Sequence, residues 1–201
     1  MIKYPNGGAF NKEIKASKQN KKDNSDISLS AANRGMDLEN EINLSLEYYR
    51  NEDIAVFYKR PTPINIVKVD YSKGARIIDA YFEKQSTTDY NGVYKGKYFD
   101  FEAKNTKNKA SFPLANIEPH QITHLKQVHS HGGYTFFIIC FQTRDEVYLI
   151  DAKYIIEFYE SQERKSIPYE DIKKHGYLIT QGYNPRLHII EIIDEIYFKN
   201  N

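Results

Sequence analysis

The sequence predicts an α/β fold: a mixed β-sheet flanked by helices, with a β-hairpin projecting from it. Three observations carry this. Runs with a side-chain period of two alternate with segments whose apolar residues recur every three or four positions. Their order (a helix, three or four strands, a helix, strands, a helix) is that of a sheet with helices packed on it. Between two of the early strands, Arg60-Pro61-Thr62-Pro63 and Lys73-Gly74 bracket a cation-rich stretch, about 60–76, that proline keeps out of a central sheet. At 201 residues one domain is the expectation.

The elements follow in order. Residues 1–30 are rich in Asn, Lys and Ser and lack apolar periodicity after Ile14, which reads as a flexible basic arm ahead of a single domain over 31–201. The arm is either idle or DNA-contacting. A helix is predicted from near Asn33 to Asn51, with Met36, Leu38, Ile42, Leu46 and Tyr49 as its stripe. Glu39 and Glu41 stand in its first turns, where negative charge suits the helix dipole; they are either solvated or turned toward a site. Ile54–Tyr58, Ile64–Tyr71 and Arg76–Phe82 are predicted strands, the last two forming the projecting hairpin, with little apolar content near its tip. A second helix is predicted over Ile117–His131. Pro119 is well placed in its first turn, Ile122, Leu125 and Val128 form its buried stripe, and Gly132-Gly133 ends it. Tyr134–Phe141 and Val147–Ile150 read as paired strands, Asp151–Glu160 and Pro168–His175 as helices; periodicity does not settle Leu187–Phe198.

Composition narrows the function classes. Cys140, in an apolar run, can form no internal disulfide, and scattered histidines do not make a structural zinc site. No apolar run spans a bilayer and no signal-peptide region follows Met1-Ile2-Lys3, so a cytoplasmic protein without a membrane partner is expected. The net charge is +1, but residues 59–76 carry Lys59, Arg60, Lys68, Lys73 and Arg76 against Asp70 alone, while residues 151–201 hold seven basic and nine acidic residues. Positive charge is thus gathered in the first half, where a polyanion can be held locally. With Lys107 and Lys109 in the loop Asn105–Lys109, these are the candidate DNA contacts.

The chemistry centres on Ser86–Lys104. In Tyr98-Phe99-Asp100-Phe101-Glu102-Ala103-Lys104, strand alternation puts Asp100, Glu102 and Lys104 on one face and Phe99, Phe101 and Ala103 on the other. Asp89 lies thirteen residues before Glu102. Phosphodiester hydrolysis needs an activated water, a neutralised transition state and a stabilised leaving oxygen, all of which Mg²⁺ can supply. Asp89 and Glu102 are suitable hard ligands; Thr87 offers a hydroxyl if the chain is extended there, and Gln121 a carbonyl oxygen from the first turn of the second helix. Lys104 is a fixed cation beside them. The competing reading is surface charge on an amphipathic strand. His120 and His124, at i and i+4, lack the glutamate of a His-Glu-x-x-His motif; structural or solvent-exposed roles fit them and the other histidines of that helix better.

Several blocks together resemble RecU-type Holliday junction resolvases of low-GC Gram-positive bacteria: Met1-Ile2-Lys3-Tyr4-Pro5-Asn6-Gly7, Asn33-Arg34-Gly35-Met36-Asp37-Leu38-Glu39, Lys59-Arg60-Pro61-Thr62-Pro63, Ser86-Thr87-Thr88-Asp89-Tyr90-Asn91-Gly92, Asp100-Phe101-Glu102-Ala103-Lys104, Ser111-Phe112-Pro113-Leu114 and His120-Gln121. The resemblance covers essentially the whole chain. It implies a restriction-endonuclease-like PD-(D/E)xK fold and a homodimer whose two sites cut opposing strands of a four-way DNA junction with Mg²⁺, Mn²⁺ substituting. It implies Asp89, Glu102 and Lys104 as catalytic residues, Thr87, Asp89, Glu102 and Gln121 as metal ligands, and the hairpin as a stalk entering the junction. The RecA recombinase is a further implied partner. The proline of the PD motif is absent, Thr88 standing before Asp89, as expected within this family. On residues alone, a general nuclease of the same fold and a non-catalytic junction-binding module are the alternatives.

Overall fold

The structure, a computed structural model, describes residues 37–83 and 87–199; the basic arm predicted for residues 1–30 lies outside them. In chain order the elements are α1 (Leu38–Asn51), β1 (Val56–Lys59), β2 (Ile64–Asp70), β3 (Arg76–Phe82), β4 (Tyr90–Tyr94), β5 (Lys97–Thr106), β6 (Ser111–Pro113), α2 (Pro119–Ser130), β7 (Tyr134–Phe141), β8 (Glu146–Asp151), α3 (Ala152–Ser161), β9 (Ser166–Pro168), α4 (Tyr169–His175), β10 (Tyr177–Leu178) and α5 (Ile189–Tyr197). Helix α1 starts at Leu38 after an extended Asp37; the predicted start near Asn33 and Met36 of its stripe lie outside the described residues. Leu38, Ile42, Leu46 and Tyr49 are its buried stripe, as their spacing predicts.

Six strands form one mixed sheet in the order β1-β4-β5-β7-β8-β10. All its pairs are antiparallel except β5–β7. A parallel pair needs a crossover, and α2 lies within that connection. The helix is well delimited: Pro119 sits at its start, where no intrahelical donor is lost, and Glu118 and Gln121 close a capping box. Beyond its end, Gly132 takes a φ of +84° that a Cβ would strain.

Strand β7 divides the core by alternation. Phe136 and Ile138 join a cluster with α1 and α5; Phe137, Ile139 and Phe141 join one with α2, α3 and α4. Strand β5 follows the same rule. Phe99 and Phe101 enter the first cluster, so Asp100 and Glu102 turn toward the face that α2 covers. Phe101 is held between two parallel rings, 4.9 Å from Tyr90 and 4.6 Å from Phe136, contacts worth about 0.5–1.5 kcal/mol each beyond burial. They anchor the strand whose opposite face carries the acids.

The mixed sheet flanked by helices agrees with the predicted fold class. Three local readings differ. The hairpin β2–β3 pairs from Ile64↔Phe82 to Asp70↔Arg76, so it runs past the expected 60–76. It is also more apolar than expected, with Ile66, Val67, Ile77 and Ile78 more than half exposed, since neither face of an isolated two-stranded ribbon meets a core. Finally, α5 settles residues 189–197 as helix. Its isoleucines crowd more than one face, so a helix and a strand fit the string equally until burial of Ile189, Ile190 and Ile193 decides.

Candidate active site

The site is built where β4 starts, where β5 passes through the sheet, and where α2 begins. The turn Lys95-Gly96 between β4 and β5 has positive φ at both residues, 47° and 71°, the geometry of a tight two-residue hairpin. The resulting register sets Tyr90 opposite Phe101, which brings Asp89 beside Glu102. Gly92 lets β1 close on β4: a Cβ there would stand 2.2 Å from the Val56 carbonyl oxygen.

Glu102 is 1 % exposed. One carboxylate oxygen, Oε1, accepts from Gln121 Nε2 at 2.5 Å and lies 2.9 Å from Lys104 Nζ; the other, Oε2, accepts from the Asp89 backbone N–H at 3.1 Å. Burial, and next the negative charge of Asp89, push the Glu102 carboxyl up to about 8, against the opposing pull of Lys104. Two acids sharing a desolvated site with too little positive charge are chemically suited to a divalent cation, which would displace the proton. Asp89 and Glu102 are therefore brought together as the spacing predicts, with Lys104 beside them. Thr87 is adjacent but not in a strand, its hydroxyl directed toward the Thr88 carbonyl at 3.5 Å. Gln121 reaches the site with its amide NH₂. Its carbonyl oxygen accepts from the Glu118 N–H at 3.0 Å to close the capping box. Among the described residues no group of three or more His, Cys, Asp or Glu side chains gathers for a metal, and the Thr87/Asp89/Glu102/Gln121 set, with only two acids, is not such a group.

Asp100 forms a second buried centre. It is fully buried, and one oxygen accepts from Thr88 Oγ1. The other accepts from Arg60 Nη2 at 2.6 Å and Tyr98 Oη at 2.9 Å, with His124 Nε2 3.0 Å away. Burial alone would raise this carboxyl, but the hydrogen bonds from His124 and Thr88, with the Arg60 charge, hold it below the usual range. Sequence reasoning missed this centre. The available signal was an acid between Phe99 and Phe101, too central in a strand to reach water, and the sequence did not say which cation would meet it.

The predicted DNA contacts separate into groups. Lys73 is in the hairpin turn; Lys68 is opposite Asp79 and Arg76 opposite Asp70, so the cations alternate with acids along the ribbon. Lys107 and Lys109 are exposed after β5. Lys59 is paired with Glu39 at 2.5 Å, and Arg60 points inward to Asp100. Glu41 faces Arg186 at 3.1 Å. Cys140 is a free thiol that burial pushes up to about 12.

Comparison with known proteins bears on this geometry. The family described as Recombination protein U matches residues 33–195. The protein named Holliday junction resolvase RecU from Geobacillus sp. strain WCH70 is 49% identical over 205 residues, covering the whole of both chains. Its counterpart in Bacillus thuringiensis strain Al Hakam is 51% identical over 202 residues, 98% of each chain. Among solved structures, Hjc of Archaeoglobus fulgidus, titled a Holliday junction resolvase, aligns with 71% of this chain and 95% of its own, at 11% identity and a TM-score of 0.41.

Proposed function

Because the chain belongs to the RecU family, recombination protein U, we propose that it is a Holliday junction resolvase: an endodeoxyribonuclease that nicks opposing strands of a four-way junction symmetrically, with Mg²⁺, in recombination and DNA repair. The observation that carries the reading is the juxtaposition of Asp89, buried Glu102 and Lys104 in a chain about half identical to named resolvases along its full length.

Asp89 and Glu102 are the residues to hold the ion. Thr87 supplies a hydroxyl at the rim, and a half-turn of the Gln121 amide would present its oxygen. Mg²⁺, or Mn²⁺ in its place, would supply an activated water and balance phosphate charge when bound. The protein side of the chemistry belongs to its own groups. Glu102 must lose its proton for the site to load. Lys104 is fixed by its buried partner and takes the charge that develops on the phosphoryl oxygens. The hairpin is the stalk, and Lys68, Lys73 and Arg76 with Lys107 and Lys109 contact phosphates, so affinity falls steeply with salt.

Symmetric cutting calls for two sites, hence a homodimer. In support, β1 is an edge strand with Val56 and Tyr58 about half exposed, and the stalk foot exposes Phe82 at 79 %, apolar surface that a second copy would cover. Modulation of the RecA recombinase is kept in this reading on family resemblance alone. The reading places the protein in the bacterial cytoplasm; no helix among the described residues is long and apolar enough to cross a membrane.

The test is nicking of a mobile four-way junction, with linear duplex as the comparison substrate. Wild type should release paired, opposed nicks from one complex only with Mg²⁺ or Mn²⁺. Asp89→Asn should bind the junction and lose at least about a thousandfold in rate, a few kcal/mol of transition-state stabilisation. Equal cutting by the variant overturns the site, and equal cutting of linear duplex favours a general nuclease.

A further inference from the structure

The stalk and the candidate active site share a foot. The hairpin ladder extends past β2 and β3 to a bond from the Glu83 N–H to the Pro63 carbonyl. Three residues before Pro63, the Arg60 N–H donates to the Asp89 carbonyl at 2.7 Å. Between these two anchors lie Pro61 and Thr62. Pro61 and Pro63 each have a fixed φ, and each restricts the residue before it to extended backbone, so the connection from Arg60 to the stalk is stiff. The other strand of the stalk leads, a few residues after Phe82, into Thr87-Thr88-Asp89. Both feet of the hairpin therefore meet at the candidate metal ligand Asp89.

Arg60 fastens this meeting point. Its side chain is 18 % exposed and bonds three partners, Asp100 at 2.6 Å, Tyr98 Oη at 2.8 Å and Thr88 Oγ1 at 3.3 Å, with His124, itself turned to Asp100, packed beside it. Thr88, the residue before Asp89, also donates to Asp100. Asp100 in turn lies two residues before Glu102 on the same face of β5. A planar guanidinium with five donors can make several directed bonds at once, and a lysine ammonium cannot reproduce them.

We propose that Arg60 is a positioning residue: it locks the stalk's foot onto Thr88 and Asp100, so that Asp89 is held against Glu102 and seating DNA on the stalk bears directly on the geometry of strand cleavage. This rests on the nuclease reading above and replaces the phosphate contact expected for Arg60 from its charge. The fork is already occupied by a buried carboxylate, and a second anion would have to displace it. Lys59, its exposed neighbour, keeps the outward role.

The experiment compares wild type with Arg60→Gln, Arg60→Lys and Thr88→Val. Junction affinity is measured across a salt series in EDTA, single-turnover nicking on saturated junction is measured in Mg²⁺, and the Mg²⁺ concentration at half-maximal thermal stabilisation is measured without DNA. Positioning predicts that Arg60→Gln binds the junction within about twofold of wild type with an unchanged salt slope. It also predicts at least tenfold slower nicking and a higher Mg²⁺ midpoint, with partial recovery in Arg60→Lys. A phosphate contact predicts the opposite pattern, a salt slope smaller by about one and weaker binding with bound-state nicking unchanged, and that result overturns the proposal. If Arg60→Gln does not fold, Thr88→Val carries the test, since it removes one strut without stranding a charge; wild-type nicking and Mg²⁺ midpoint in that variant overturn the proposal. Failure of the nuclease reading is separable: there Asp89→Asn cuts as wild type does, or wild type never cuts.

Discussion

Removing the buried carboxyl with Glu102→Gln should make the metal-free protein more stable at alkaline pH while abolishing its response to Mg²⁺. Glu102 ionises near 8 in the folded chain, against an ordinary 4.5. A buried acid shifted this way binds more protons folded than unfolded, so its contribution is full below about 4.5 and is lost as pH rises to about 8. At about 1.4 kcal/mol per pH unit, the loss across that window is about 5 kcal/mol. For a domain of this size that corresponds to a fall in melting temperature on the order of 10 °C. Glutamine can still accept the Asp89 N–H but carries no charge to desolvate. Thermal unfolding of both proteins from pH 5 to 9 in EDTA isolates the effect, because every other titrating group is common to the pair. Wild type should lose stability relative to Glu102→Gln as pH rises, and regain it when Mg²⁺ is added; nicking by wild type should rise over the same interval, as the proton leaves and the cation can enter. Parallel pH curves for the two proteins, or equal stabilisation of both by Mg²⁺, would refute the reasoning.

Two further outcomes follow from burial. Arg186 is paired with Glu41 at 3.1 Å, both side chains being about nine-tenths buried, and burial raises the Glu41 carboxyl while Arg186 opposes that rise. Arg186→Met should therefore cost about 3–5 kcal/mol in denaturant unfolding by stranding a charge, and adding Glu41→Leu should recover most of the loss. No residue from Val67 to Ile78 is buried. Replacing that span with Asn-Gly should leave unfolding free energy within about 0.5 kcal/mol of wild type while weakening junction binding at least tenfold; unchanged affinity in a gel-shift titration removes the stalk from DNA recognition.

What the sequence made legible depended on distance along the chain. Period-two alternation placed Glu102 and Lys104 together because that relation is local, whereas Gln121, nineteen residues beyond Glu102, meets it only through the packing of α2 on β5. The inward direction of Arg60 was not legible, for the same non-local reason. Charge can be counted, but direction cannot, and an arginine beside two prolines at a strand end reads as surface. Its inward turn depends on the pairing of Lys59 with Tyr90 across β1 and β4, a contact spanning thirty residues that no local pattern encodes. The oxygen of Gln121 differs: it is bound to the Glu118 N–H three residues back, a capping-box relation within local reach that the metal-ligand reading passed over. A buried acid such as Asp100, flanked by core aromatics, announces that some cation must reach it, since an unpaired charge there is prohibitively costly. The fold answers with the residue at the foot of the stalk. The element that would touch the substrate and the strand that carries the chemistry are thereby joined through one ion pair.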